Sequence, residues 1–131
     1  GLAHVGVFVS DLERSKRFYR DVLGFEITWE CLVGDGSDAV RVAFAQRGSC
    51  ILELVESPAA AGRVDGPVDH IALAVTDIEA MHAALLKKGV QFETDEVIFC
   101  DRVFPNGSKW ILFRGPDQEH LELTEVLPYE I

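Results

Sequence analysis

The sequence predicts an α+β domain of two tandem β-α-β-β-β modules forming a curved mixed sheet, and two internal repeats predict it. Residues 4–13 read H-V-G-V-F-V-S-D-L-E, and residues 70–79 read H-I-A-L-A-V-T-D-I-E. Later in each half, I-L-E-L-V-E at 51–56 answers H-L-E-L-T-E at 120–125. Both repeats alternate in the manner of strands, and a helix-like stretch follows the first of them. The boundaries follow: module 1 over 1–57, an Ala-, Gly- and Pro-rich linker over 58–68, and module 2 over 69–131, all within one domain.

Each module opens with a strand. Over 2–9, Val5, Val7 and Val9 share one face, with His4, Gly6 and Phe8 on the other. Over 69–75, Ile71, Leu73 and Val75 oppose His70, Ala72 and Ala74. A helix follows each strand. Ser10 with Glu13, and Thr76 with Glu79, have the spacing of a capping box. Gly24 and Gly89 stand where a left-handed helix end favours glycine. Three further strands complete each module, at about 25–32, 39–47 and 49–56, then at 90–99, 108–114 and 119–126. Gly48-Ser49 and Gly115-Pro116-Asp117 mark the last hairpin turns. The later parts align without a gap, Phe44 on Phe113, Glu53 on Glu122 and Glu56 on Glu125.

Composition narrows the possible partners. A net charge of −10 with no Lys/Arg cluster repels phosphate backbones and anionic membranes, so neither nucleic acid nor a membrane is expected. Apolar runs fall far short of a bilayer span. Cys31, Cys50 and Cys100 are odd in number and form no C-x-x-C pair, which predicts reduced thiols in a cytoplasmic protein.

The chemistry lies in the repeated polar residues. Leu52 and Leu54 share a face, as do Leu121 and Leu123, and these faces take the helices. Glu53 and Glu122 therefore point to the opposite, concave side, as His4 and His70 do. A lone strand His is usually a hydrogen-bonded structural residue, and a lone Glu between leucines is usually solvated. Here both recur at matching positions in both modules. Two imidazoles and two carboxylates are the donor set of one divalent metal, with His4, Glu53, His70 and Glu122 as ligands. Around them, Phe8, Trp110 and His120 are candidate substrate contacts, and Arg102 is the cation placed to meet an anionic group. Arg41 is a weaker alternative, and His82 reads as a solvated helix residue.

Over nearly its whole length the chain resembles the vicinal oxygen chelate superfamily, and its His-Glu-His-Glu set looks most like glyoxalase I. The resemblance implies a lyase or isomerase acting on a 2-oxoaldehyde-derived hemithioacetal, or a related substrate with adjacent oxygens, through a metal-bound enediolate. It implies one Ni²⁺, Zn²⁺, Co²⁺ or Mn²⁺ ion per site, Glu122 as first candidate for the base and Glu53 as the second. It also implies a homodimer with metal sites at the interface. Two positions depart from the bacterial glyoxalase I pattern. Phe8 and Ser57 stand where that family carries the Arg and Asn that serve glutathione, which leaves glutathione or another thiol open as co-substrate. The same scaffold and ligands suit a methylmalonyl-CoA-type epimerase. A metal-poor protein that sequesters a drug in its bowl is the reading from a different class.

Overall fold

The computed structural model describes residues 1–62 and 65–130. Arg63 and Val64, in the stretch read as the linker, and Ile131 lie outside the described residues.

In the first half, β1 (Val5–Val9) leads into α1 (Leu12–Arg17), which continues as a wider π-helical turn over Phe18–Val22. β2 (Glu26–Val33), β3 (Val40–Arg47) and β4 (Cys50–Glu56) follow. The second half repeats the plan with β5 (Ile71–Ala74), α2 (Ile78–Lys87), β6 (Ile98–Cys100), β7 (Ser108–Arg114) and β8 (His120–Val126). Each half forms a four-stranded mixed sheet, in the order β1-β4-β3-β2 and β5-β8-β7-β6. No helix of the described residues is long and apolar enough to cross a membrane. The three cysteines are unpaired.

The register makes the repeat physical. β1 runs parallel to β4 with Gly6 opposite Glu53, and β5 runs parallel to β8 with Ala72 opposite Glu122. On their other flanks Glu53 faces Phe44 and Glu122 faces Leu112. Side chains alternate across a strand, so the neighbours of each glutamate point the other way into the core. Leu52, Leu54 and Leu121 are wholly buried and Leu123 nearly so. Val9, Leu12 and Tyr19 complete the first core, while Ile78, Ile111 and Phe113 complete the second.

The helix starts differ from the expected capping boxes. The N-caps are Asp11 and Asp77, one residue later, whose carboxylates accept from Arg14 N at 3.1 Å and Ala80 N at 3.3 Å. The unsatisfied N–H groups of each first turn draw a further carboxylate from the end of the last strand. Leu12 N donates to Glu56 at 2.8 Å, and Asp77 N and Ile78 N donate to Glu125 at 3.1 and 3.0 Å. Glu56 and Glu125, aligned by the repeat, therefore tie helix to sheet in both halves. Ser10 is engaged elsewhere, with its backbone N–H and hydroxyl both donating to Asp117.

Other boundaries also shift. β1 and β5 begin at Val5 and Ile71, so His4 and His70 each stand just before their strand. The strand expected over 90–99 shrinks to Ile98–Cys100, with one separate bridge from Phe92 to Phe113. Between them the acidic run Glu93-Thr94-Asp95-Glu96 turns, held by Thr94 Oγ1 donating to the Glu96 carbonyl at 3.0 Å. His82 is not solvated: its ring packs edge-on to Phe92 at 4.6 Å, and its Nε2 is buried.

The described chain divides into two compact units, Gly1–Val64 with Gly115–Glu119, and Asp65–Arg114 with His120–Ile131. The β7–β8 turn thus belongs to the first unit. There Tyr19, fully buried, donates its hydroxyl to Glu119 at 2.8 Å, and Asp117 N donates to the other carboxylate oxygen at 2.8 Å. Gly115 is required by close approach, since a Cβ there would come within 2.2 Å of the Glu119 carboxyl carbon. Burial pushes the Asp117 carboxyl up, but the Ser10 hydrogen bonds and Arg14 outweigh it and hold the group below its ordinary range. Tyr19→Phe leaves a buried carboxylate short of a donor and is expected to cost about 1.5–3 kcal/mol. Urea unfolding monitored by circular dichroism checks this, the midpoint falling with the slope unchanged.

Candidate metal centre

In the first unit the His4 ring packs edge-on to Phe44, with centroids 5.6 Å apart, and its Nε2 lies 3.9 Å from Glu53 Oε1. Gly6 leaves room here, as a Cβ at that position would stand 3.7 Å from the same oxygen. In the second unit His70 Nε2 lies 3.2 Å from Glu122 Oε2. The His70 Nδ1 lies 2.8 Å from Asp69 Oδ2. A neutral ring that donates from Nδ1 to Asp69 would present its Nε2 lone pair beside Glu122, ready to share a metal with it. At the matching position before His4 stands Ala3, whose side chain offers no acceptor.

The donor chemistry fits a divalent metal. Ligand atoms at about 2.0–2.2 Å from one ion stand about 3–3.5 Å apart. The second pair has that spacing and the first is a few tenths of an ångström wider. Borderline imidazole and hard carboxylate donors together suit Zn²⁺, Ni²⁺, Co²⁺ or Mn²⁺. Both pairs are partly open to solvent, with side-chain exposures of 41% and 28% in the first and 38% and 14% in the second.

The expected substrate contacts fall into different settings. Phe8 is 61% exposed on the same face of its sheet as Gly6 and Glu53. Trp110 is half-buried, two residues before Leu112, and so shares the Glu122 face. Arg102 lies beyond β6 against Cys100, where its backbone N–H, opposed by burial and aided by its side chain, holds the thiol below the usual range. Arg41 is committed to Glu13 at 2.6 Å and to Glu56 at 3.7 Å. His120 lies beside His70, ring centroids 5.9 Å apart, within a cluster of Asp65, Asp69, Glu93 and Arg114. That cluster escapes a reading by repeats, since its residues have no polar counterparts in the first half; only Asp69, directly before the repeated histidine, offered a signal.

Comparison with known proteins decides the family. The sequence model of the Glyoxalase/Bleomycin resistance protein/Dioxygenase superfamily matches residues 1–123. The chain belongs to this superfamily. Among curated relatives, uncharacterized protein YaeR of Escherichia coli is 32% identical over 127 residues, covering 93% of each chain. The mitochondrial methylmalonyl-CoA epimerase of Mus musculus is 31% identical over 103 residues, 72% of this chain and 57% of the epimerase. Among solved structures, the glyoxalase family protein from Enterococcus faecalis superposes with a TM-score of 0.79 at 29% identity, covering 95% of this chain and 97% of the other. The paired β-α-β-β-β architecture is thus the glyoxalase-superfamily fold.

Proposed function

We propose that His4, Glu53, His70 and Glu122 together hold one divalent metal ion, and that the chain is an enzyme moving a proton at a carbon beside a carbonyl. The observation that carries this reading is the matched register of the two His–Glu pairs. Each glutamate sits opposite a small residue, Gly6 or Ala72, and each is approached by the histidine that precedes the neighbouring strand. Two structural accidents would not recur at equivalent positions.

A metal bound there supplies Lewis acidity, drawing charge from adjacent substrate oxygens as the neighbouring C–H bond weakens. The chain's own residues do the rest. Glu122, the more enclosed of the two carboxylates, accepts the proton and returns it, with Glu53 as its counterpart from the first module. Asp69 orients the His70 ring through its contact with Nδ1. Phe8 and Trp110 offer apolar surface to the substrate body on the faces that carry the glutamates.

The first substrate class is a 2-oxoaldehyde hemithioacetal, isomerised in the manner of glyoxalase I. Superfamily membership and the complete His-Glu-His-Glu set support it. Phe8 in place of a cation weighs against glutathione as the thiol. The similarity to methylmalonyl-CoA epimerase supports a second reading, epimerisation of a 2-methyl-branched thioester by the same proton transfer. We expect metal-loaded protein to turn over one of two probes, the methylglyoxal–glutathione hemithioacetal or a chiral 2-methylmalonyl thioester in deuterated water. Polarimetry and solvent-deuterium incorporation read the second. Inactivity on both contradicts these two substrate classes. Absence of metal uptake by calorimetry would instead favour a binding protein that sequesters its ligand.

We further propose that the protein works as a homodimer in which each metal is held by His4 and Glu53 of one chain and His70 and Glu122 of the other.

A further inference from the structure

We propose that the second unit carries an additional divalent-cation site, at Asp65, Asp69 and His120, separate from the four ligands above. Asp65 and Asp69 lie on the segment entering β5, and His120 opens β8. One ligand atom from each lies within 4.8 Å of the other two. His120 Nδ1 stands 3.5 Å from Asp69 Oδ2 and 3.9 Å from Asp65 Oδ2. Ligand atoms around a tetrahedral ion with metal–ligand bonds of about 2.0–2.2 Å stand about 3.4 Å apart, so a small closure of the carboxylates brings all three into place.

The histidine makes this more than an acidic surface. Its side chain is nine-tenths buried, with 10% exposed, yet neither ring nitrogen makes a hydrogen bond. Buried polar atoms are rarely left without a hydrogen bond, and such a group calls for an explanation. On the far side of the ring, Glu93 Oε1 lies 2.9 Å from Nε2 without the alignment of a hydrogen bond. A slight ring rotation gives Nε2–H to that carboxylate and leaves the Nδ1 lone pair aimed between Asp65 and Asp69. A carboxylate behind a ligating imidazole is the usual support of a metal-bound histidine.

Charge fits as well. Arg114 donates to both Asp65 oxygens, at 2.5 and 3.0 Å, and to Glu93 at 3.1 Å. It orients two of the carboxylates and cancels one negative charge of three. Asp65, Asp69 and Glu93 outnumber Arg114, so the cluster keeps an excess of negative charge that a cation can balance. The Arg114 hydrogen bonds lower the pKa of the Asp65 carboxyl from its ordinary value. Two oxygens and one nitrogen, with the remaining positions open to water, suit Zn²⁺ or Mn²⁺. Asp69 Oδ2 also meets His70 Nδ1, so the site adjoins the proposed metal centre but uses none of its ligands.

Zinc titration of metal-free protein by calorimetry tests this. We expect two ions per chain in the unaltered protein. His120→Phe, which keeps the buried ring volume, and Asp65→Asn at the exposed end should each leave one ion bound as before and weaken the other by more than about 100-fold. His4→Ala/Glu53→Ala, confined to the first unit, should remove the first ion and spare this one. Whether one ion or two bind, the absence of any ion that His120→Phe or Asp65→Asn weakens overturns the site. Two ions persisting in His4→Ala/Glu53→Ala would instead contradict the metal centre above, so the two failures are distinguishable.

Discussion

Glu122→Ala is expected to fold and to hold no tightly bound metal at the His-Glu-His-Glu centre. The side chain lies on the face opposite the buried Leu121 and Leu123, so truncating it opens no cavity in the core. It removes one of only four protein ligands, and metal affinity should fall by more than about 100-fold, as ligand loss commonly exceeds the 10–100-fold cost of losing a supporting partner. Turnover should fall further, by at least about 10²–10⁴, since the same residue is the proposed proton acceptor. His70→Ala should match it in metal binding. The variants are told apart at saturating metal, where His70→Ala regains part of its activity and Glu122→Ala regains none. Recovery of Glu122→Ala at high metal would remove that residue from the role of base while leaving its ligation in place.

The second large effect concerns assembly. Mixed under conditions of subunit exchange, a His4→Ala chain and a Glu122→Ala chain are each inactive alone but should regain activity together. In the mixed dimer one site collects both defects, and the other is built from the unaltered first half of one chain and the unaltered second half of its partner. With random exchange, half of the dimers are mixed and half of their sites intact, so activity should reach about one-quarter of the unaltered level. Sites formed within one chain each keep a defect, and activity stays absent. No recovery after exchange has been demonstrated by mass spectrometry would rule out shared sites.

Much of this was legible because the sequence is written twice. Alternation and the repeat together placed the glutamates of β4 and β8 on the face that carries Gly6 and Ala72, and the leucines beside them in the core; the register that sets Glu53 opposite Gly6 and Glu122 opposite Ala72 came from the structure. Gly24 and Gly89 end their helices with φ of +74° and +85°, as their spacing implied. What escaped was non-local. The helix starts were displaced by one residue because Glu56 and Glu125, distant in sequence, compete for the first-turn N–H groups, and because Asp117 captures Ser10. The strand expected over 90–99 broke at its acidic run, where period-two apolarity gives way to charge. His82 had the look of a solvated helix position, yet Phe92 arrives from the following loop to cover it. The carboxylates around His120 belong to one half only, and a reading that gains its strength from repetition is blind to what is not repeated.

X-ray absorption spectroscopy on protein loaded with substoichiometric Zn²⁺, in a His120→Phe background so that the additional site stays empty, tests the central claim most directly. Outer-shell scattering counts imidazoles, and the account predicts two with His4, Glu53, His70 and Glu122 all in place, the other atoms bound to the metal being oxygen. In His4→Ala and in His70→Ala, loaded at raised metal, the count should fall from two to one in each. A spectrum with a single imidazole from the start, or one unchanged by either substitution, would contradict a metal held jointly by the two modules.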